Sequence, residues 1–240
     1  MDIAKDVKMI LCYTVDQMMK GPRRTQANGD NVALTPPDRR ARRRQETIEE
    51  ILEIAQQIMT EEGVNGLSLA EVARRLGVQP PSIYKYYPSL MAVYDELFRR
   101  GQAENLEVVR RGIEAAEPGM AAIAAGLEAS GRWLLAHRAL AQLLFWRPVA
   151  KFEPSPEAFA PAIEMVAIQR VQLANAVAMG EIGPAGDSDE AMYLISTLIT
   201  GVLSQAMANE PELEWGEGRF TPLFPKLMAL FTAAYPPSVG

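Results

Sequence analysis

Residues 77–89, GVQPPSIYKYYPS, place two adjacent prolines shortly before three tyrosines and a lysine. A tyrosine hydroxyl can hydrogen-bond a phosphate oxygen while its ring packs on the protein. Proline is tolerated in the first turn of a helix, because the N–H that it lacks would have no partner there. Pro80 and Pro81 therefore predict the start of a short helix that Pro88 ends. The three tyrosines cannot all face one side of such a helix, so we expect at least one to be exposed.

The stretch RRARRR, residues 39–44, is a second candidate for chemistry, because it holds five arginines. The whole chain has a net charge of −6, but this charge is unevenly distributed. Residues 39–100 carry ten basic and nine acidic side chains, whereas residues 101–240 carry nine and sixteen. A chain that is acidic overall but collects positive charge near one end can still bind a polyanion there. A solvated basic patch without a partner is the alternative interpretation.

Cys12 and His137 are the only cysteine and the only histidine, and they lie far apart in the sequence. Neighbouring residues form neither a Cys–His pair nor a zinc-binding cluster, and no phosphate loop or dinucleotide fingerprint occurs. We therefore expect no catalytic residue, no metal and no cofactor, and we interpret His137 as a surface residue or a hydrogen-bonded structural one. An active site of carboxylates or serines assembled in three dimensions is the alternative.

The composition predicts a cytoplasmic protein. No apolar run approaches the roughly 18 residues that a membrane helix needs, and charged residues interrupt the N-terminus where a signal peptide would lie. The single cysteine cannot form an internal disulfide, as expected in a reducing compartment. We therefore expect no membrane as a partner.

The elements that position these stretches are predicted to be helices, because apolar residues recur at intervals of three and four. The first apolar stripe ends at Gly63 and consists of Ile48, Ile51, Leu52, Ala55, Ile58 and Met59. Ser68 and Glu71 have the spacing of a capping box, in which each residue satisfies an amide at the start of a helix. Gly77 would end that second helix, because a left-handed residue is least costly as glycine.

The rest of the chain predicts further helices near 90–116, 120–136, 139–148, 156–179, 188–208 and 220–234. We therefore predict an all-α fold in three parts. These are an N-terminal extension with a flexible linker at 1–38, a helix-turn-helix domain with a basic arm at 39–100, and a larger helical domain at 101–240. The linker, 21–38, is rich in Gly, Pro, Asn and Asp. Met18 or Met19 is an alternative start of the protein.

Two short helices joined by a tight glycine turn form a helix-turn-helix. Ala73 is small where the two helices must cross closely, and the apolar contacts between them come from Val72, Leu76, Val78 and Ile83. The second helix is then free to present its other face. The major groove of DNA is wide enough to admit that helix.

The stretch LSLAEVARRLGVQPPSIYKYYPSLMAVYDEL is similar to the signature of the TetR family of bacterial transcriptional regulators, and residues 47–98 as a whole resemble its N-terminal domain. The resemblance implies a three-helix DNA-binding domain followed by a larger helical domain for ligand binding and dimerisation. It also implies roles for single positions. Gln79, Pro80, Pro81, Ser82 and Lys85 would face base edges, Tyr84, Tyr86 and Tyr87 would contact phosphates and pack the short helix, and Ser68 would bring a helix N-terminus to the DNA backbone.

The sequence departs from the family pattern at Leu90, where a lysine usually binds a phosphate. Ala70 is also small where some members carry an arginine that reaches a base. Direct readout of base edges by the short helix is therefore limited. We hypothesise that the arginine stretch compensates as a flexible arm just before the first helix. In that arm Arg39, Arg40, Arg42, Arg43 and Arg44 would reach the minor groove or phosphates.

Aromatic residues in the middle of the larger domain are candidate lining for a pocket that binds a small apolar effector, with ordinary core packing as the alternative. The candidate ligand-binding residues are Trp133, His137, Phe145, Trp146, Phe159 and Tyr193. The resemblance also implies that helices 188–208 and 220–234 pair with those of a twofold mate. Such a homodimer would present two recognition helices to successive major grooves.

Together these features predict a ligand-responsive transcriptional regulator, a repressor that leaves a palindromic double-stranded DNA operator when its effector binds. A helical protein–protein adaptor that has lost DNA binding is one alternative, and Leu90 in place of lysine favours it. An all-helical enzyme is the other alternative. The sequence names neither the effector nor the operator.

Overall fold

The computed structural model describes residues 39–146 and 148–237, and within these ranges all regular secondary structure is helical. Along this part of the chain the α-helices are α1 (Arg39–Glu62), α2 (Leu69–Leu76), α3 (Pro80–Ile83), α4 (Leu90–Glu114), α5 (Met120–Ala136), α6 (Arg138–Ala141), α7 (Pro156–Ala178), α8 (Asp189–Asn209) and α9 (Phe224–Ala234). The predicted all-α fold is confirmed, with a helix-turn-helix domain followed by a larger helical domain. The predicted linker 21–38 and the alternative starts Met18 and Met19 lie outside the described residues.

The chain divides after Ile51 into two compact units. The described part of the first unit is the N-terminal half of α1, which carries the arginine stretch. The second unit begins at Leu52 and contains the rest of α1 and all later helices. Helix α4 passes without interruption through residue 100, at which we predicted a domain boundary. The predicted boundaries stay a prediction.

The second half of α1 carries the predicted apolar stripe into the core of the second unit. At most 2% of each side chain is exposed for Leu52, Ala55, Ile58 and Met59. Tyr94 of α4 fixes the turn that follows α1, because its hydroxyl donates a hydrogen bond to the Val64 carbonyl at 2.6 Å. Burial raises the pKa of the Tyr94 hydroxyl, so the hydroxyl stays protonated and keeps this donor.

Helix α4 is the central helix of the larger domain, because both α5 and α7 pack along it. Gly112 lets α5 approach closely, since a Cβ atom there would lie 2.7 Å from the Ala125 carbonyl oxygen. Helices α8 and α9 pack on each other, and the segment between them is tied to α6. That tie is a hydrogen bond of 3.0 Å from Arg138 Nη2 to the Leu213 carbonyl.

Two predicted helices differ from the structure by more than two residues at one end. The helix expected at 139–148 is α-helical only to Ala141 and continues as a π-helical turn, Gln142–Trp146. The helix expected at 220–234 begins at Phe224, after a 3₁₀ turn at Thr221–Leu223. Pro222 and Pro225 each occupy the first turn of one of these segments, where a missing N–H is tolerated.

By length and composition alone α8 could cross a membrane, although the sequence analysis expected no such run. This is weak evidence, because the core helix of a soluble protein meets the same criteria. Helix α8 has a buried side within the larger domain, formed by Ala191, Met192, Ile195, Ile199, Val202, Leu203 and Ala206.

Candidate nucleic-acid interface

Helix α2 begins where the sequence predicted, because Ser68 caps it. The Ser68 Oγ accepts a hydrogen bond from the Glu71 amide at 3.2 Å. The second half of the predicted capping box is wrong. The Glu71 carboxylate does not return to the start of the helix but accepts hydrogen bonds from Arg74 and Arg75, each at 2.7 Å. Two guanidinium donors bind a carboxylate more strongly than one neutral amide does.

These ion pairs neutralise part of the positive charge of α2. The hydrogen bonds from Arg74 and then from Arg75 lower the pKa of Glu71 from 4.5 to about 2, so the carboxylate is charged at neutral pH. Arg75 also bridges back to α1, at 2.7 Å to Glu61 and 3.2 Å to Glu62. The Arg75 side chain therefore joins the two helices, whereas the Arg74 side chain is 71% exposed.

The turn between α2 and α3 has the geometry that the sequence predicted. Gly77 adopts a left-handed conformation, with φ 74° and ψ 26°. The Gly77 and Val78 amides donate to the carbonyls of Arg74 and Ala73, at 3.3 and 3.0 Å, and so end the helix. Ala73 is fully buried, which fits a position where two helices cross closely.

Helix α3 is a single turn that begins with Pro80 and Pro81, as predicted. Ile83 is fully buried and anchors the turn in the domain. Its carbonyl accepts hydrogen bonds from the amides of Tyr86 and Tyr87, at 2.9 and 3.0 Å, which extend the turn beyond the helix. The side chains of this element that remain exposed are Gln79, Pro80, Pro81, Tyr84 and Lys85, and Ser82 is half-buried.

The three tyrosines differ in exposure. Tyr84 is 56% exposed, Tyr86 is half-buried and Tyr87 is only 8% exposed. The expectation that at least one is exposed is therefore confirmed. The Tyr87 ring packs inside the domain rather than on its outer surface. Tyr84 is therefore the most exposed of the three tyrosines.

The arginine stretch is not an arm before the first helix. Arg39 begins α1, and the stretch forms the first turns of that helix with all its arginines exposed. With 3.6 residues per turn, Arg39, Arg42 and Arg43 share one side of the helix, and Arg40 and Arg44 share another. Arg42 also lies 3.5 Å from Glu46, in a pair that is exposed on both sides. The predicted contact with DNA stays a prediction.

Helix α4 begins next to α3 with a serine cap that the sequence analysis did not use. The Ser89 Oγ accepts a hydrogen bond from the Ala92 amide at 3.2 Å. A serine directly before an apolar stripe is the signal that would have indicated this cap. Leu90 is half-buried and Met91 is 39% exposed, so the first turn of α4 presents apolar side chains where the family pattern has a lysine.

Among the six residues that we predicted to line an effector pocket, ring contacts join two pairs, and a third contact involves a residue outside the set. Trp133 and His137 stack with ring centroids 4.6 Å apart, Phe145 contacts Trp146, and Phe159 stacks on Phe98. A cleft of about 760 Å³ includes His137 among its lining residues but none of the other five. His137 is exposed, and its Nδ1 lies 2.8 Å from the Trp133 carbonyl, as expected of a hydrogen-bonded surface residue. The ligand-binding role of the six residues stays a prediction.

The sequence analysis missed a group of buried polar side chains in the larger domain. Gln102 and Asn105 of α4 and Ser130 of α5 are at most 6% exposed. The Asn105 Oδ1 accepts a hydrogen bond from the Ser130 hydroxyl at 2.8 Å. The signal was present in the sequence, because Gln102 and Asn105 each stand four residues after a buried apolar residue of the same helix, Phe98 and Gly101.

Residues 51–97 match the family model of bacterial regulatory proteins, tetR family. The uncharacterised HTH-type transcriptional regulator YobS of Bacillus subtilis (strain 168) is 43% identical over 51 residues. That match covers 21% of this chain and 27% of the relative, so it spans about a quarter of the relative's length.

Solved structures extend the likeness to most of the chain. The transcriptional regulator FadR from Bacillus subtilis, in complex with stearoyl-CoA, has a TM-score of 0.60 and 18% identity, over 77% of this chain and 97% of that chain. The TetR family transcriptional regulator PfmR from Thermus thermophilus has a TM-score of 0.59 and 18% identity, over 76% and 97%. At these identities the likeness shows the fold alone.

The fold and the exposed α3 define a helix-turn-helix protein with a larger all-helical domain. Residues 51–97 resemble the DNA-binding domain of the TetR family, so the resemblance predicted from the sequence is confirmed.

Proposed function

We propose that this protein is a cytoplasmic, homodimeric transcriptional regulator, a repressor that a small apolar effector releases from a palindromic DNA operator. The main support for the proposal is the exposed surface of the helix-turn-helix between Gln79 and Lys85. The buried Ile83 anchors this surface in the domain. A rigid helical turn with polar and aromatic side chains facing outward suits insertion into a major groove. The short length of α3 limits base contacts, so two copies are needed for a specific site.

The proposed dimer uses α8 and α9. Leu223 and Leu230 are 43% and 62% exposed, although large apolar side chains are normally covered in a stable assembly. Gly201 lies on the exposed side of α8, where an added Cβ would meet nothing within 4 Å, so another helix can approach there. A twofold axis at this surface would present two α3 helices to major grooves that are roughly 34–36 Å apart.

The proposed effector site lies at the buried polar group between α4, α5 and α7. The Asn105 Nδ2 faces the sulfur of Met165 at 3.9 Å, and a thioether is a weak acceptor. A buried amide donor gains more from a strong acceptor. Since methionine adapts its shape readily, an uncharged, mainly apolar ligand with one carbonyl or hydroxyl oxygen could displace Met165 and accept that hydrogen bond. The structurally similar FadR binds stearoyl-CoA, of which the acyl chain, but not the charged CoA part, has the apolar character proposed here.

In the proposed mechanism the effector shifts the spacing of the two DNA-binding domains. It can do so only by binding the released conformation more tightly than the operator-bound one. A coupling of about 1–3 kcal/mol would weaken operator binding by roughly 5–150-fold.

Selection of bound sequences from random double-stranded DNA tests the proposal. We expect a palindrome whose half-sites are about one helical turn, or a multiple of it, apart. Titration of that site should then saturate, and competitor DNA of random sequence should displace the protein poorly. Equal affinity for the selected and the random DNA would contradict a specific regulator.

An adaptor that has kept the helix-turn-helix but lost DNA binding is the second candidate, favoured by the apolar first turn of α4 at Leu90 and Met91. The variant Lys85→Ala, Tyr86→Ala separates the two. Loss of operator binding by a folded variant excludes the adaptor, whereas an operator affinity equal to that of the wild type removes α3 from the interface.

A further inference from the structure

The segment that leads into α7 is docked on the beginning of α4. Phe152 is 5% exposed, and its ring centroid lies 5.8 Å from that of Tyr94 and 6.1 Å from that of Phe98. Phe159, in the first turn of α7, stacks on Phe98 at 6.0 Å. These aromatic contacts join the larger domain to the part of α4 that directly follows α3.

A carboxylate adds hydrogen bonds to these aromatic contacts between α4 and the start of α7. Asp95 accepts a hydrogen bond from the Ser155 amide through Oδ1 and one from the Ser155 hydroxyl through Oδ2, both at 2.7 Å. Ser155 is also the cap of α7, because its Oγ accepts a hydrogen bond from the Ala158 amide at 3.1 Å. Two charge-assisted hydrogen bonds fix orientation as well as distance, and the positive end of the α7 dipole favours the negative charge of Asp95.

The preceding residue of α4 makes the opposite connection. Tyr94 donates its hydrogen bond to Val64, in the turn between α1 and α2, while Asp95 binds the start of α7. Consecutive helical residues point about 100° apart, so one turn of α4 is held from two directions. A displacement of the α7 N-terminus would therefore act on α4 at the residue next to the one that binds the helix-turn-helix.

We propose that Asp95 is a positioning residue for operator recognition. Through Ser155 it fixes the angle between α4 and α7, and thereby the spacing at which the two α3 helices of a dimer meet DNA. The inference rests on the proposed function. Beyond that function, it assigns the control of the spacing to one carboxylate, which binds the cap of α7.

The test compares operators selected with the wild-type protein with versions whose half-sites are moved apart or together by one and two base pairs. The wild type should lose about tenfold or more in affinity for the altered spacings, because each base pair also rotates the half-sites relative to each other. The affinities of Asp95→Ala for the different spacings should lie within about threefold of one another, and its affinity for a single half-site should equal that of the wild type. Asp95→Asn, which keeps one acceptor for the Ser155 amide, should restore much of the discrimination.

The matched control is Glu164→Gln, which removes a different contact between α4 and α7. Glu164 binds Arg110 at 2.5 Å, and both side chains are partly exposed. This variant should keep the wild-type spacing preference. Equal spacing discrimination by wild type, Asp95→Ala and Asp95→Asn would overturn the inference, as would the same loss of discrimination in Glu164→Gln.

A second readout does not need DNA and separates this inference from the proposed function. A nitroxide attached at Gln79→Cys, in a Cys12→Ser background, reports the distance between the two α3 helices of a dimer. We expect a narrow distance distribution that Asp95→Ala broadens and Glu164→Gln leaves narrow. If no operator binds but this broadening is seen, the DNA-binding proposal fails and the positioning role stands. If operators bind and the distribution stays narrow in Asp95→Ala, the positioning role fails.

Discussion

The Glu71 carboxylate accepts a hydrogen bond at 2.7 Å from Arg75, whose guanidinium also pairs with Glu61 of α1, so one arginine joins the first two helices. The pKa of Glu71 falls from 4.5 to about 2 when the protein folds. A carboxyl group with a lowered folded-state pKa contributes stability that is present above its unfolded pKa and is lost as the pH falls through the folded one.

We therefore expect Glu71→Gln to lower the free energy of unfolding at pH 7. The difference from wild type should shrink between pH 4.5 and about pH 2. Urea denaturation followed by circular dichroism across this range measures it. Glu53→Gln, a change at an exposed glutamate of α1, is the matched control and should unfold like the wild type at every pH. A difference between Glu71→Gln and wild type that persists unchanged at pH 2 would contradict the assignment.

The arginine stretch offers a test of its conformation on DNA. Each phosphate contact adds about 0.9 to the slope of log affinity against log salt concentration. If the stretch stays helical when bound, only one of its two sides can face the DNA. Replacing Arg39, Arg42 and Arg43 with Gln should then change the slope differently from replacing Arg40 and Arg44.

Operator titrations between 50 and 200 mM salt, roughly the range over which phosphate contacts dominate, give these slopes. If neither the triple nor the double variant changes the slope, the arginine stretch does not contact the phosphates of the operator. Equal reductions per arginine would show that the stretch unwinds on DNA and acts as the arm that the sequence suggested.

Variants of Tyr84 and Tyr87 should have different effects, one on the affinity for DNA and the other on the free energy of unfolding. Tyr84→Phe removes one exposed hydroxyl, so we expect unchanged stability and an operator affinity weaker by about 1–2 kcal/mol, or roughly 5–30-fold. Tyr87→Ala removes a ring that is 8% exposed and should lower the free energy of unfolding by about 3 kcal/mol. Fluorescence anisotropy with the selected operator and urea denaturation measure the two quantities. Wild-type affinity in Tyr84→Phe would show that its hydroxyl does not contact phosphate.

The buried Asn105 should matter more for a ligand than for the fold. Asn105→Leu replaces the amide with an apolar side chain of similar size, and the Ser130 hydroxyl that it leaves can bond a carbonyl of its own helix. We expect a change of about 1 kcal/mol or less in the free energy of unfolding.

The uncharged dye Nile red, which carries a carbonyl oxygen, serves as a probe of the same site. We expect Asn105→Leu to weaken its binding by about 5–10-fold, as for the loss of one hydrogen bond. Met179→Ser, altered at an exposed apolar residue directly after α7, is the control and should bind the dye like the wild type. Equal dye binding by Asn105→Leu and wild type would place the effector elsewhere.

The sequence by itself determined the helix-turn-helix. The serine cap at Ser68, the left-handed Gly77 and the paired prolines of α3 act within a few residues of the chain, and the structure has all three where the local pattern predicted them. The all-α class followed in the same way from the spacing of apolar residues, because a helix buries every third or fourth side chain whatever it packs against.

Only the tertiary structure decided which side chains meet across the fold. Arg75 of α2 pairs with Glu61 of α1 at 2.7 Å, a contact that requires the two helices to lie side by side. The contact between Asp95 and Ser155 joins residues 60 positions apart, and Phe159 of α7 stacks on Phe98 of α4. Such pairings depend on how whole helices pack on one another, which no local pattern of residues encodes.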